Sequence, residues 1–166
     1  MSNSILVGYA TQYESTMEVA QAIAETLRVA GLTVDIQPLK EVRQLDGYGA
    51  VVMGAPLYMY RWHKDAHRFL KRHTKALSQL PVAVFALGPV QDPHNDEEWE
   101  NSRSQLNTEL AKYPWFKPVT IEMFGGRFDP QRLKFPMSMF AGAEPATDIR
   151  DWDAIREWAT GLVAKL

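Results

Sequence analysis

The sequence predicts an α/β protein: a doubly wound, five-stranded parallel sheet in the order 2-1-3-4-5, with helices on both faces. Three observations predict it. Short apolar runs alternate with helical patterns along the chain. The apolar runs are nearly continuous rather than alternating, as strands covered on both faces should be. A βαβαβ alternation with right-handed crossovers then implies parallel pairing.

The elements follow in order. The strands are expected at Ile5–Ala10, Thr33–Gln37, Ala50–Ala55, Val82–Leu87 and Val119–Phe124. The first helix, over 16–30, places Val19, Ala20, Ile23, Ala24, Leu27 and Ala30 on one stripe, and Gly31 suits its stop. Pro38 to Gly47 leaves room for only a short helix. Residues 64–77 carry Phe69, Leu70 and Leu77 among charges, and Pro81 introduces the fourth strand. A more polar helix is expected over 95–113, ending before Pro114. Residues 152–166 repeat the helical spacing with Ile155, Trp158, Ala159, Leu162, Val163 and Leu166.

Composition bounds the class. The chain has 166 residues, enough for one domain over 1–166 that buries roughly 70% of its unfolded surface. Hydrophobic residues make up 46%, which supports a core and argues against disorder. A net charge of −2 gives no bulk case for nucleic acid or an anionic membrane. With no cysteine, disulfides, thiolate metal sites and Cys nucleophiles are excluded. No run approaches a transmembrane segment and no leader pattern opens the chain, so a cytoplasmic protein is the default expectation.

In a sheet of this order the switch point lies between strands 1 and 3, and ligand should bind at the loops that follow them. The loop after strand 1 reads Thr11-Gln12-Tyr13-Glu14-Ser15-Thr16 and runs straight into a helix. The first amides of that helix lack intrahelical partners and sit at its positive end, and Thr11, Ser15 and Thr16 can add hydroxyl donors. No Lys or Arg lies between Met1 and Leu27, so an anion here would be held by neutral donors, unlike in a P-loop. The plainer alternative is a βα turn with Ser15 or Thr16 as N-cap. The segment after strand 3, Pro56-Leu57-Tyr58-Met59-Tyr60, is dense in aromatics where polar turn residues are usual, with Trp62 just beyond. Tyr58 and Tyr60 are stronger candidates for a ring wall than Trp62. The loop after strand 4, Leu87-Gly88-Pro89-Val90-Gln91, is small enough for backbone to approach a ring.

The first loop resembles the phosphate-binding loop of flavodoxins, roughly Thr/Ser-x-Thr-Gly-x-Thr. Thr11, Gln12 and Thr16 fall on that pattern and Ser15 on its variable position. Tyr13 stands where a hydroxyl is usual and Glu14 where glycine is usual, so the Glu14 carboxylate must point to solvent. With the two other loops, this resemblance implies flavin mononucleotide (FMN) as cofactor. Gly54-Ala55-Pro56, the aromatic segment, the basic helix with His73 and the run Phe124-Gly125-Gly126-Arg127-Phe128 resemble the flavodoxin-domain family that includes menaquinone-dependent protoporphyrinogen oxidase. The similarity spans nearly the whole chain. The segment from Arg127 to Asp151 departs from it: it is short, with little beyond Lys134, Phe135, Met137, Met139 and Phe140 to anchor a membrane.

Other constellations carry less. His63 and His67 are four apart but lack a third ligand, and the cations around them read as a solvated basic face. His94, Ser102 and Ser104 with the neighbouring acids have no nucleophile elbow. Because a flavin carries its own redox chemistry, no acid–base dyad is required; the protein supplies orientation and stacking that shift the relative stability of the redox states. The expected function is electron transfer through bound FMN, in a carrier or an FMN-dependent oxidoreductase. The alternatives are a protoporphyrinogen oxidase-like enzyme or, from Tyr13 and Glu14, a module that kept the fold and lost the cofactor. The expected partner is a redox protein or small acidic substrate meeting the flavin near Arg61, Lys64 and Arg127, and the chain leaves room for a homodimer.

Overall fold

The computed structural model describes residues 4–59, 61–133, 139 and 144–166. Five parallel strands form its sheet: β1 (Ser4–Tyr9), β2 (Thr33–Pro38), β3 (Ala50–Tyr58), β5 (Val82–Leu87) and β6 (Thr120–Phe124). Their order is β2-β1-β3-β5-β6 with every pairing parallel, which is the expected 2-1-3-4-5 arrangement. A short strand, β4 (Arg61–Trp62), turns back antiparallel on the end of β3. A separate ribbon pairs β7 (Arg127–Phe128) with β8 (Thr147–Asp148).

Both faces of the sheet are covered, because successive strand residues feed opposite cores. Val7, Val52 and Phe85 pack with α1 (Ser15–Val29) and α5 (Trp152–Leu162). Leu6, Met53 and Val84 pack with α2 (Lys64–Arg72), α3 (Thr74–Leu77) and α4 (Asp96–Leu110). The stripe Val19, Ala20, Ile23, Ala24 and Leu27 is buried as its spacing requires. Gly31, at φ 94°, closes α1: its N–H donates to the Arg28 carbonyl and that of Leu32 to Leu27. That is the Schellman pattern, and it needs a left-handed residue at this position.

Two elements differ from the sequence expectation. The helix over 64–77 is broken at His73, whose buried ring donates from Nε2 to the Val42 carbonyl at 3.2 Å and lies 4.8 Å from the Phe69 ring. Those anchors draw His73 out of helical dihedrals, to φ −111°. Strand β3 runs three residues past Ala55, to Tyr58. Because β1 ends at Tyr9, opposite Gly54, no ladder on that side asks Pro56 for the N–H it lacks. Among the described residues no helix is long and apolar enough to cross a membrane.

Candidate functional site

The C-terminal ends of β1, β3 and β5 surround a cleft of about 230 Å³. Gln12, Tyr13 and Ser15 border it on one side, Pro56 to Met59 on a second, and Leu87, Gly88 and Val90 on a third. Ten of the proposed residues are thus brought together at the expected switch point. Tyr60 lies outside the described residues, as do Lys134, Phe135, Met137 and Phe140. Trp62 belongs to the core: it is 2% exposed and donates its indole N–H to the Ala55 carbonyl at 3.0 Å.

The loop from Thr11 to Thr16 carries the most telling polar detail. The Thr11 and Thr16 hydroxyl oxygens are buried and find no hydrogen-bond partner among the described residues. Neither Ser15 nor Thr16 is the N-cap; Glu14 holds that position, with no side-chain capping bond. Two buried hydroxyls left unpaired beside the free amides of a helix N-terminus form a donor set lacking its acceptor. Glu14 adopts φ 67°, the left-handed region, at the position where the flavodoxin pattern has glycine. Its exposed carboxylate turns outward to Arg132, 3.6 Å away. Among the described residues the one other non-glycine with positive φ is Met59, at 49°, on the opposite wall. Strained backbone of this kind gathers where a ligand is gripped.

Gly126 to Asp129, with Arg132 and Leu133, closes the fourth side of the cleft. Of that side the sequence named Arg127, expected near the flavin edge, and carried Gly126 and Phe128 within a motif; Asp129, Arg132 and Leu133 were not read from it. Three arginines from beyond residue 125 also reach the first loop, on its carbonyls. Arg127 and Arg132 donate to the Tyr13 carbonyl at 3.2 and 3.3 Å. Arg150, 4% exposed, donates to the Ser15 carbonyl at 3.3 Å and grips Asp148 through two bonds of 2.7 and 2.9 Å. Those bonds from Arg150 come first in holding the Asp148 carboxyl below the usual carboxylate range. The arginines bind loop carbonyls and acids, so they fix the loop's shape and leave its amides free. No short motif marks Arg132 or Arg150, and none ties the three to a loop more than a hundred residues away.

The loop after β5 is a rigid wall. The Val90 and Gln91 amides donate to the Glu98 carboxylate at 3.2 and 3.1 Å, and the Val90 carbonyl accepts from the Thr147 hydroxyl at 2.6 Å. The Pro89 carbonyl accepts from Gly126 N–H at 2.7 Å. Gln91 itself turns away toward the groove beside α4. Across the cleft, burial first and Tyr13 second push the Tyr58 hydroxyl up, so it is a protonated donor at neutral pH.

His63 and His67 both have structural partners. His63 caps α2, accepting from Asp65 N–H at Nδ1. The cations around them are exposed as expected, and the His67 ring lies between Glu109, 2.6 Å from Nε2, and the Tyr113 hydroxyl.

The chain belongs to the flavodoxin-domain family, whose model matches residues 6–137. Protoporphyrinogen IX dehydrogenase (quinone) of Escherichia coli K12 is 22% identical over 177 positions, covering 93% of this chain and 91% of that protein. Among solved structures, oxidised flavodoxin 1 from Bacillus cereus aligns at a TM-score of 0.62 with 14% identity, over 98% of this chain and 99% of that one. The rubredoxin oxygen:oxidoreductase of Desulfovibrio gigas aligns at 0.58 with 16% identity, over 99% of this chain. This chain spans only 37% of that larger protein. These structural likenesses establish the fold.

Proposed function

We propose that residues 1–166 act as one flavodoxin-like domain that binds FMN in the cleft and transfers electrons through it. The observation that carries this reading is the pair of buried, unpartnered hydroxyls, Thr11 and Thr16, on the loop at the N-terminus of α1 whose Gln12, Tyr13 and Ser15 border the cleft walled by Tyr58. A phosphate supplies the acceptor oxygens those donors lack. The amides and hydroxyls of the loop would hold the phosphate. Leu57, Tyr58 and Met59 would cover one side of the planar ring, Leu87, Gly88 and Val90 another, and Phe128 and Leu133 would exclude water. The bound flavin supplies one- and two-electron chemistry at a single centre. The protein's part is to fix the ring between rigid walls and to keep solvent from it.

Replacing Thr16 by Val separates this role from a merely structural one. A buried hydroxyl without a partner costs about 1 kcal/mol or more, so the flavin-free protein should become more stable. FMN affinity, titrated by flavin fluorescence, should fall by about 1–2 kcal/mol. Unchanged affinity would remove the loop from the site. A purified protein with no flavin bands, and no uptake of added FMN, would leave a flavodoxin-fold module without its cofactor. Glu14→Gly should act the other way. It relieves a left-handed glutamate, raising stability by up to about 1 kcal/mol. It also removes a carboxylate near the phosphate, tightening FMN binding by up to about 1 kcal/mol at low salt.

A further inference from the structure

Exposed cations on this chain converge on one groove. Arg61 on β4, Lys64, Arg68 and Lys71 on α2, and Lys112 just past α4 line an open surface depression of about 1090 Å³. The whole chain carries a net charge of −2, so this concentration runs against its average. The groove is continuous with the proposed flavin cleft, because Gln12 and Tyr58 line both. Glu109 is the carboxylate lining it among the described residues. It is 6% exposed and already held by Lys112 and His67; Arg68 pairs with Asp65 at 3.9 Å, which leaves Arg61, Lys64 and Lys71 as the rim cations without an ion-pair partner among the described residues.

Helix stability does not account for this arrangement. Lys64 is the first residue of α2, at the positive end of the helix dipole, where a cation is unfavourable. Lys64 and Arg68 are like charges four residues apart, which also destabilises a helix, while Arg68 is offset by its pair with Asp65. Lys71 and Arg72, in the last turn, are favoured by the same dipole and need no other reason. Arg61 and the α2 cations share the stretch 61–71, and the fold brings Lys112 to them from the end of α4.

We infer that the groove docks the acidic face of a protein electron donor or acceptor beside the flavin edge near Tyr58; this rests on the FMN reading above. One electron crosses per encounter, one centre being oxidised as the other is reduced, with no bond made. A protein fits better than a small anion. The groove is an open depression, whereas a small-molecule site is a concave pocket that buries most of its ligand. From Lys64 to Lys71, α2 alone presents cations to the groove over roughly 10 Å. A row of exposed cations on a rim steers a complementary surface and orients it on encounter.

The test uses a strongly acidic 2Fe–2S ferredoxin as probe and basic cytochrome c as its opposite. Direct binding is measured by calorimetry on the protein as purified and again after addition of FMN. Ferredoxin binding should weaken about tenfold between low and high salt, as the Debye length falls from about 10 Å at 0.1 M to about 3 Å at 1 M. Arg61→Glu with Lys64→Glu should weaken it about tenfold more. Lys117→Glu, an exposed charge reversal before the N-terminal end of β6, should change it less than about twofold. Tighter binding of cytochrome c, or an equal effect of Lys117→Glu, would overturn the inference. So would binding of benzene hexacarboxylate in place of ferredoxin, which would assign the groove to small polyanions. Binding is read without flavin turnover, so a protein that fails to take up FMN can still show or lack the docking surface.

Discussion

A Gly54→Ala protein should lose about 3 kcal/mol of folding stability, the upper part of the range for overpacking a core. A methyl group at Gly54 would lie 2.0, 2.2 and 2.3 Å from three atoms of the Phe85 ring. That ring has nowhere to go. It is fully buried on the neighbouring strand, with Phe124 and Trp158 at ring-centre distances of 6.3 and 6.0 Å. The clash differs from the one at Gly88, where a methyl would first meet the flexible Met123 sulfur at 2.9 Å. Urea denaturation gives the loss directly, and Phe85→Leu placed on Gly54→Ala should restore part of it. A loss below about 1 kcal/mol would show that the ring can move aside. Since Gly54 leads directly into the Pro56–Met59 wall, FMN affinity should drop alongside stability.

Gly54 shows how far the sequence could be read. The Gly-Ala-Pro run after a strand was visible as a motif, but its physical cause is a ring supplied from thirty-one residues further on. The parallel strands were legible because burial on both faces forces continuous apolar runs, and the switch-point rule then located the cleft. The far end of β3 was not, because Pro56 reads as a break unless one knows that β1 has already stopped. The Thr11–Thr16 loop was legible as a donor set, since its residue types and its helix are contiguous. Arg132 and Arg150 were not, and Arg127 was expected at the flavin edge but not on the first loop, because a side chain that binds a carbonyl across the fold leaves no local pattern. Glu14 was visible only as a departure from glycine; its φ of 67° gives the reason that position favours glycine.

Glu109→Ala should destabilise the fold by about 2–3 kcal/mol, because it removes three hydrogen bonds to a buried carboxylate and leaves the Trp62 N–H without its acceptor. The carboxylate, 6% exposed, accepts from Lys112 at 2.6 Å, from His67 at 2.6 Å and from the Trp62 N–H at 3.0 Å. These contacts tie α4 to α2 and β4, and β4 braces the strand end that carries Tyr58. Burial alone would raise the Glu109 pKa. Bonds from Lys112, His67 and the Trp62 amide overcome that and hold it at about 2, below its ordinary 4.5. A depressed carboxyl stabilises the fold above its unfolded pKa and ceases to do so as pH falls through the folded one. The contribution should therefore be complete above about pH 4.5 and fade toward pH 2, by roughly 2–3 kcal/mol in all. Glu109→Gln, which keeps the shape and cannot titrate, should flatten that part of the acid transition relative to wild type. Identical acid profiles for the two proteins would mean that other carboxylates govern the transition and that Glu109 holds the hairpin through shape alone.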